Sequence, residues 1–534
     1  MVTFVNRQVE MKLINNAFEV LHNYDTDSLL RTPILDFFGI EGIGKTAMLG
    51  YIEEQCKKQQ IRYIFIKDSQ SASNFSREIV KQVTERYNIR LPSLDENEEL
   101  FQQSLYATKA LLEQGTAVMI LDSVDATNEE LLERIAVTLR DIINDNKLFV
   151  VLASKKGIFF DSERSISRKL TSLQLKPIDR KSCEHYLDTI EPPLKPEIRK
   201  SICDWTRGYP LAMEVMTRAV AEYKLDPARP EDQKALVDLI VERVIDQKVF
   251  ARLTLSDRIK YKEALTILSV PRRFDVPIMQ ELIEHFVPEL KRGSSLAYMK
   301  LPGSVTNDTN ALSWNMLRAG FAVDVPVRNI FLLKIRIEQA ERYSALHQFL
   351  AQLNKTLAGK VMDSGRIRYF CEYLYHSAYV KSEQELIQIL EQVLQDPNLT
   401  NFKNIELYES YEAYLEDLLQ DNEFEEALGG QIVTIQSLIY NHLAAINRRE
   451  ARTASGEDHF YHLRNIFIYI AKDPKVMDVR SAWIPAIRDI IAEEPSGHTS
   501  QFVEELLNSE RLEEALGDHF DVLAKLVPEI SLEG

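Results

Sequence analysis

The chain is poor in residues that interrupt helices. Its 534 residues include 18 glycines and 19 prolines, about 7% together, against a typical ~12%. That shortage excludes a turn-rich all-β protein and favours long helices. Cysteine is scarce and scattered. Cys56, Cys183, Cys203 and Cys371 form no C-x-x-C pair, so neither a zinc ribbon nor a disulfide framework is indicated, and buried reduced thiols are expected. Long apolar runs are missing too. The longest, such as Ala117–Leu121 and Leu148–Ala153, fall far short of the ~20 residues that span a bilayer. Met1–Lys12 is interrupted by Asn6, Arg7, Gln8 and Glu10, which leaves no apolar centre for a signal peptide. A protein of a reducing compartment, the cytoplasm, is the expectation. Positive charge is in deficit, with 64 basic against 81 acidic residues and a net charge of −17. That argues against chain-wide affinity for nucleic acid or an anionic membrane, and leaves room only for a local basic patch. Apolar residues are plentiful at 45%, enough for several cores and incompatible with global disorder.

At roughly 100–200 residues per domain the length suggests three to five domains. The first part alternates strand-like and helix-like segments. Asn6–Tyr24 reads as an amphipathic helix, and Pro33–Phe38 as a short apolar strand ending at Gly39. Ile61–Ile66, Ala117–Leu121 and Leu148–Ala153 read as further strands, with Leu173–Leu175 as a candidate. Ala72–Tyr87, Asn97–Glu113 and Asn128–Ile143 carry helical spacing between them. Continuous apolar strands separated by helices imply a parallel sheet covered on both faces. From Asp179 onward the periodicity is almost wholly helical. Leu225–Asp232, with Pro227 and Pro230, reads as a linker, and turns are expected around Pro271, Pro302, Gly303 and Pro326. One internal similarity stands out: Glu416–Gly429 (EDLLQDNEFEEALG) and Glu504–Gly517 (EELLNSERLEEALG). A polar turn followed by Glu-Glu-Ala-Leu suits stacked helix pairs, although the offset is not that of a regular tetratricopeptide array.

The strongest chemical signal is Gly39-Ile40-Glu41-Gly42-Ile43-Gly44-Lys45-Thr46, which satisfies G-x-x-x-x-G-K-[ST]. A triphosphate needs several backbone N–H groups converging on its oxygens. Gly39, Gly42 and Gly44 allow the loop to curl, with Ile43 and Ala47 adding backbone to the cradle. The helix opening at Lys45 contributes its positive end, and the Lys45 ammonium reaches the β and γ phosphates. The Thr46 hydroxyl is placed to ligate Mg²⁺. A second signal is the strand Ala117–Leu121 delivering Asp122 at its C-terminal end, the edge where a parallel sheet binds ligands. Asp122 is expected to hold Mg²⁺. Asp125 either polarises the attacking water or caps the next helix. A third strand ends in Ser154-Lys155-Lys156, where Ser154 or Lys155 is a candidate γ-phosphate sensor.

These motifs, taken in order, resemble the STAND class of P-loop NTPases, which includes the NB-ARC proteins. Phe4-Val5-Asn6-Arg7-Gln8 resembles the opening F-x-G-R-E motif of the class, with Asn6 in place of Gly and Gln8 in place of Glu. The resemblance implies that Val5 and Arg7 lie against the adenine and that Lys155 reads the terminal phosphate. Arg207-Gly208-Tyr209-Pro210-Leu211-Ala212-Met213 resembles the G-x-P-L-A motif, which implies that Pro210 packs on the base. Ala264–Pro271 with Phe274-Asp275, and Val327–Ile330, resemble a winged-helix domain. The M-H-D motif is not recognisable, and His347 is read as a packing residue. The implied architecture is multidomain: a P-loop NTPase domain over 1–176, a small helical domain over 177–248, a winged-helix-like domain over 249–350 and a helical, tetratricopeptide-like array over 351–534.

The resemblance implies a signalling switch that binds ATP or ADP with Mg²⁺, hydrolyses slowly, self-associates in the ATP state and meets a protein partner through its C-terminal helices. No effector domain is recognisable, and none is expected before Phe4. Nucleic acid is not the expected partner. The alternative is a DNA-associated ATPase or transcription regulator, with Arg272-Arg273 and Lys291-Arg292 as the nearest candidates for phosphate contacts.

Overall fold

The computed structural model describes residues 7–23, 29–91, 100–161, 163–190, 193–361, 364–400, 402, 405–493 and 504–533. Phe4, Val5 and Asn6, and the expected helix start at Asn97, lie outside them. Strands β1 (Ile34–Phe38), β2 (Arg62–Ile66), β3 (Ala117–Val124), β4 (Leu148–Ser154) and β5 (Leu170–Gln174) form one parallel sheet in the order β2-β3-β4-β1-β5. β5 begins earlier than its apolar residues suggest. Helix α1 (Gln8–His22) precedes the sheet, and α2 (Lys45–Lys58), α3 (Ala72–Tyr87), α4 (Leu100–Glu113) and α5 (Glu129–Arg140) connect its strands.

The strands are apolar along their length because both faces are covered. Met119, Leu121, Val150 and Leu152 face a cluster that contains Phe75 and Ile79 of α3, Leu111 of α4 and Ile135 of α5. On β4 the residue before Val150, Phe149, points the other way, edge-on to Phe18 of α1 at 6.4 Å, as the alternation of a strand requires. Burying a ring such as Phe75 contributes roughly 2 kcal/mol. One irregularity matters for the site. Leu121 pairs with Leu152 but Val124 pairs with Ser154, so β3 carries an extra residue at Asp122–Ser123. Ser123 takes φ +59° there. Such a bulge ends regular pairing and re-aims the side chains at the strand end.

A short helix, α6 (Arg164–Ser167), precedes β5, and after the sheet come α7 (Arg180–Asp188), α8 (Pro196–Thr206) and α9 (Pro210–Tyr223). The cysteine expectation is corrected here. Cys183 of α7 and Cys203 of α8 are joined in a disulfide across the two packed helices, while Cys56 and Cys371 are free and buried. The expected linker is shortened, because Pro230 opens the helix Pro230–Ile240, where its missing N–H costs nothing. Pro302 and Gly303 lie inside the helix Ser295–Thr309 rather than in a turn. That helix buries Tyr298, Leu301, Pro302 and Val305, so packing overrides local propensity. Pro326 sits in the first turn of the helix Val325–Glu338.

The chain divides into two compact units. The first holds the residues up to Ser269, with Met279–Ser313 and Phe321–Gln339. The second holds Val270–Ile278, Trp314–Gly320 and the chain from Ala340 onward. All long elements of the second unit are helices. His347 is buried in it, with Nδ1 3.0 Å from Nδ1 of His376. The two similar segments share one local form. Asn422–Leu428 and Glu510–Leu516 are short helices capped by Asp421 and Ser509, and each ends at a glycine, Gly429 or Gly517, with φ near +50° and ψ −126°. Each is followed by a single tight turn and then a longer helix.

Arg272 and Arg273 correct another expectation. Both are 1% exposed. Arg272 pairs with Glu372 at 2.8 Å and Asp417 at 3.2 Å, and Arg273 pairs with Asp275 at 2.6 Å. Residues closed in this way cannot contact a phosphate backbone. No described helix is long and apolar enough to cross a membrane.

Candidate functional site

The loop between β1 and α2 supplies the site's centre. Gly44 caps α2 at φ +107°, a conformation that L side chains rarely adopt. Gly42, at φ +80°, is forced by close approach as well, since a Cβ there would lie 2.6 Å from Leu211. Lys45 is buried, and its Nζ donates to the carbonyl oxygens of Gly39 at 2.6 Å and Ile40 at 2.9 Å. Burial lowers its pKa, while the charges of Glu41, Asp122 and Asp36 oppose that shift.

The sheet edge brings the acidic partner to this loop. Thr46 Oγ1 donates to Asp122 Oδ2 at 3.0 Å. Burial raises the Asp122 pKa against the hydrogen bond from Thr46. A hydroxyl beside a carboxylate is a set of hard oxygen donors and suits Mg²⁺, which keeps several waters of its own. Among the described residues no cluster of three or more His, Cys, Asp or Glu side chains offers a separate metal site. Asp125 accepts from the backbone N–H and the hydroxyl of Thr127 at 2.9 and 2.7 Å. Burial pushes its carboxyl up, but those bonds hold it below its ordinary range. The cap of α5 is Asn128, whose side chain accepts from Leu131 N at 3.0 Å, so Asp125 is not the capping residue.

Ser154 and Lys155 part company. The Ser154 hydroxyl is buried on Asp36 at 2.9 Å, whereas Lys155 ion-pairs with Glu41 at 2.8 Å. Lys45, Thr46, Asp122, Asp125 and Lys155 line one cavity of about 170 Å³.

A second cavity, of about 320 Å³, adjoins the loop on its other side. Arg7, Ile43, Ala47 and Pro210 line it. Arg7 donates to the carbonyl of Lys176 at 2.8 Å and to that of Ile43 at 3.3 Å. Burial lowers its pKa against the pull of Glu10. Val5 lies outside the described residues.

Several residues at the site escaped the sequence reading. Ile178, Tyr186 and Met213 line the larger cavity. The buried Tyr209 hydroxyl donates to the carbonyl of Glu41 and so ties the G-x-P-L-A segment to the loop. Arg252, Asn307 and Asn310 line the smaller cavity. Asp36 is wholly buried within β1, and burial pushes its pKa up to about 6 against hydrogen bonds from Ile158 and Ser154. Asp324 is pushed up to about 7 by burial, with the charge of Lys45 opposing.

Residues 31–158 match the AAA domain family, so this part of the chain is a P-loop NTPase domain. No curated protein matches the chain. Among solved structures, Cdc6p from Pyrobaculum aerophilum is similar at 14% identity, over 64% of this chain and 97% of that one, with a TM-score of 0.35. A Signal Transduction ATPase with Numerous Domains and a tetratricopeptide repeat sensor, from Pyrococcus horikoshii, is similar at 13% identity, over 100% of this chain and 74% of that one, with a TM-score of 0.30. The Aeropyrum pernix ORC1 protein in complex with DNA is similar at 14% identity, over 62% and 92%, with a TM-score of 0.34. At such identity and overlap none of them assigns an activity to this chain.

Proposed function

We propose that the chain is a nucleotide-controlled signalling switch of the STAND type that binds ATP or ADP with Mg²⁺ and hydrolyses ATP slowly. The observation that carries this reading is the Thr46–Asp122 contact of 3.0 Å, placed beside Lys45 and Lys155 in one cavity. Thr46 and Asp122 would hold Mg²⁺, which when bound neutralises charge on the β and γ phosphates. Lys45 binds those phosphates, and the N–H groups at the start of α2 add partial positive charge. Asp125, kept ionised by Thr127, orients a water as an acceptor and is a weak base, which fits slow turnover. The larger cavity receives the base between Arg7, Ile43 and Pro210, as the resemblance to the class implies. The proposed division is a P-loop domain over 1–176, a small helical domain over 177–248, a winged-helix-like domain over 249–350 and a tetratricopeptide-like array over 351–534, in the cytoplasm.

A nucleotide shifts such a switch only by its differential affinity for the two forms. ATP would favour self-association, and the C-terminal helices would meet a protein partner. The DNA-associated alternative loses Arg272 and Arg273, which are closed in ion pairs, and it keeps only Lys291 and Arg292. The test is mass in solution with ADP, ATP and a non-hydrolysable analogue, together with the identity of the nucleotide that co-purifies. A larger species with the analogue alone supports the switch, and identical masses in all three rule it out. Salt-dependent binding of duplex DNA would promote the alternative.

A further inference from the structure

The smaller cavity holds two charged side chains that phosphate binding by the loop does not call for. Glu41 occupies a variable position of the G-x-x-x-x-G-K-[ST] pattern, yet its carboxylate lies 2.8 Å from Lys155 Nζ. Both side chains are about 40% exposed, so neither is held there by burial. Arg252 lines the same cavity. It makes no hydrogen bond or ion pair among the described residues, and its charge acts on Asp125.

We infer that Glu41 competes with the terminal phosphate of a nucleoside triphosphate for Lys155, and that Arg252 is the second cation that lets the phosphate win. This rests on reading the site as a nucleotide site. A terminal phosphate carries about two negative charges, and placed beside Lys155 it meets the Glu41 carboxylate. The two anions repel at short range in a cavity partly shielded from water. A diphosphate ends one phosphate earlier and leaves the Glu41–Lys155 pair intact. The pair therefore penalises the triphosphate and not the diphosphate. Arg252 acts in the opposite sense, because its planar fork suits phosphate oxygens and Asp125 alone does not neutralise it. The relative affinity for ADP and ATP is thus set by two side chains of opposite sign.

The test measures affinity for ADP and for a non-hydrolysable triphosphate analogue, both with Mg²⁺, in the wild-type chain and in Glu41→Gln and Arg252→Ala. Glu41→Gln keeps the shape and removes the charge. It is expected to tighten the analogue roughly fivefold more than ADP, in keeping with a half-exposed ion pair, since any effect through Lys45 is shared by both nucleotides. Arg252→Ala is expected to weaken the analogue roughly tenfold, with ADP nearly unchanged. Both shifts should shrink at high salt. Equal effects on ADP and the analogue in either variant, or weaker analogue binding by Glu41→Gln, would overturn the inference while leaving the nucleotide site intact. A wild-type chain that binds neither nucleotide would overturn the functional reading itself.

Discussion

Lys45 in the first unit and Arg272 in the second are both buried cations, but they are satisfied in different ways. Lys45 rests on two backbone carbonyls, and the carboxylates of Glu41, Asp122 and Asp36 act on it through space. Arg272 is held by three carboxylates, Glu372, Asp417 and Asp421, at 2.8 to 3.7 Å. Arg318 closes the same cluster on Asp417 at 2.8 Å. Five residues before Asp417 on the same helix, Ile405–Leu419, Glu412 accepts from Tyr461, Tyr469 and Asn465. A cation that rests on neutral carbonyls beside a cavity can exchange them for a phosphate. A cation locked to three anions has nothing to exchange. The comparison separates charge kept for binding from charge kept for architecture.

The largest expected effect breaks the architectural side. Arg272→Ala leaves Glu372 buried without its cation and strips Asp417 of one of its two arginines, which costs about 3–5 kcal/mol. Chemical denaturation should show that loss, and a variant within about 1 kcal/mol of wild type would mean that water reaches the cluster and disperses its charge. On the binding side, Lys45→Ala should leave the circular dichroism unchanged and weaken nucleotide binding by at least ~1000-fold, about 4 kcal/mol. Retained binding would show that backbone N–H groups alone hold the phosphates.

Asp36 sharpens the comparison, since it is buried beside the site and meets no cation at contact distance. Its pKa is raised in the fold, to about 6 from an ordinary 3.8. The protonated form is the one the fold prefers. Its contribution is fully present below pH ~4 and is lost as pH rises through about 6, for a total near 3 kcal/mol. Asp36→Asn cannot titrate. The stability difference between wild type and variant should therefore change by up to about 3 kcal/mol between pH 4 and pH 7, with the variant gaining. Parallel urea midpoints across that range would contradict the buried carboxylic acid.

Those three residues also mark how far the sequence could be read. Lys45 stands in a contiguous pattern whose chemistry is local, so its place was legible without a fold. Asp122 and Lys155 were legible because continuous apolar strands declare a buried parallel sheet, and strand ends then share one edge. Asp36 was hidden, because it interrupts β1 and reads as an ordinary polar residue until Ser154 and Ile158 are brought to it. Asn307 and Asn310 reach the cavity from the C-terminal end of the helix Ser295–Thr309, and Arg252 from a turn some fifty residues earlier, with no sequence pattern to connect them to the loop. Cys183 and Cys203 face each other only because α7 packs on α8. Arg272 and Arg273 read as a basic pair, and only tertiary packing turned them inward.

The smallest effect concerns two neighbours just ahead of α5. Asp125 and Asn128 both precede α5, and either side chain is suited to capping it. Asn128 accepts the hydrogen bond from Leu131 N, whereas Asp125 lines the smaller cavity and accepts from Thr127. Asn128→Ala should therefore lower stability by about 1 kcal/mol and leave kcat for ATP hydrolysis unchanged. Asp125→Asn keeps an acceptor for Thr127 and removes the charge facing the cavity. It should leave the unfolding midpoint near wild type and lower kcat at least ~10-fold, with little change in KM. The paired outcome is the informative one, because a helix cap and a water-orienting carboxylate fail in different assays. If Asp125→Asn lowers the unfolding midpoint as much as Asn128→Ala does and spares kcat, Asp125 belongs with the architecture.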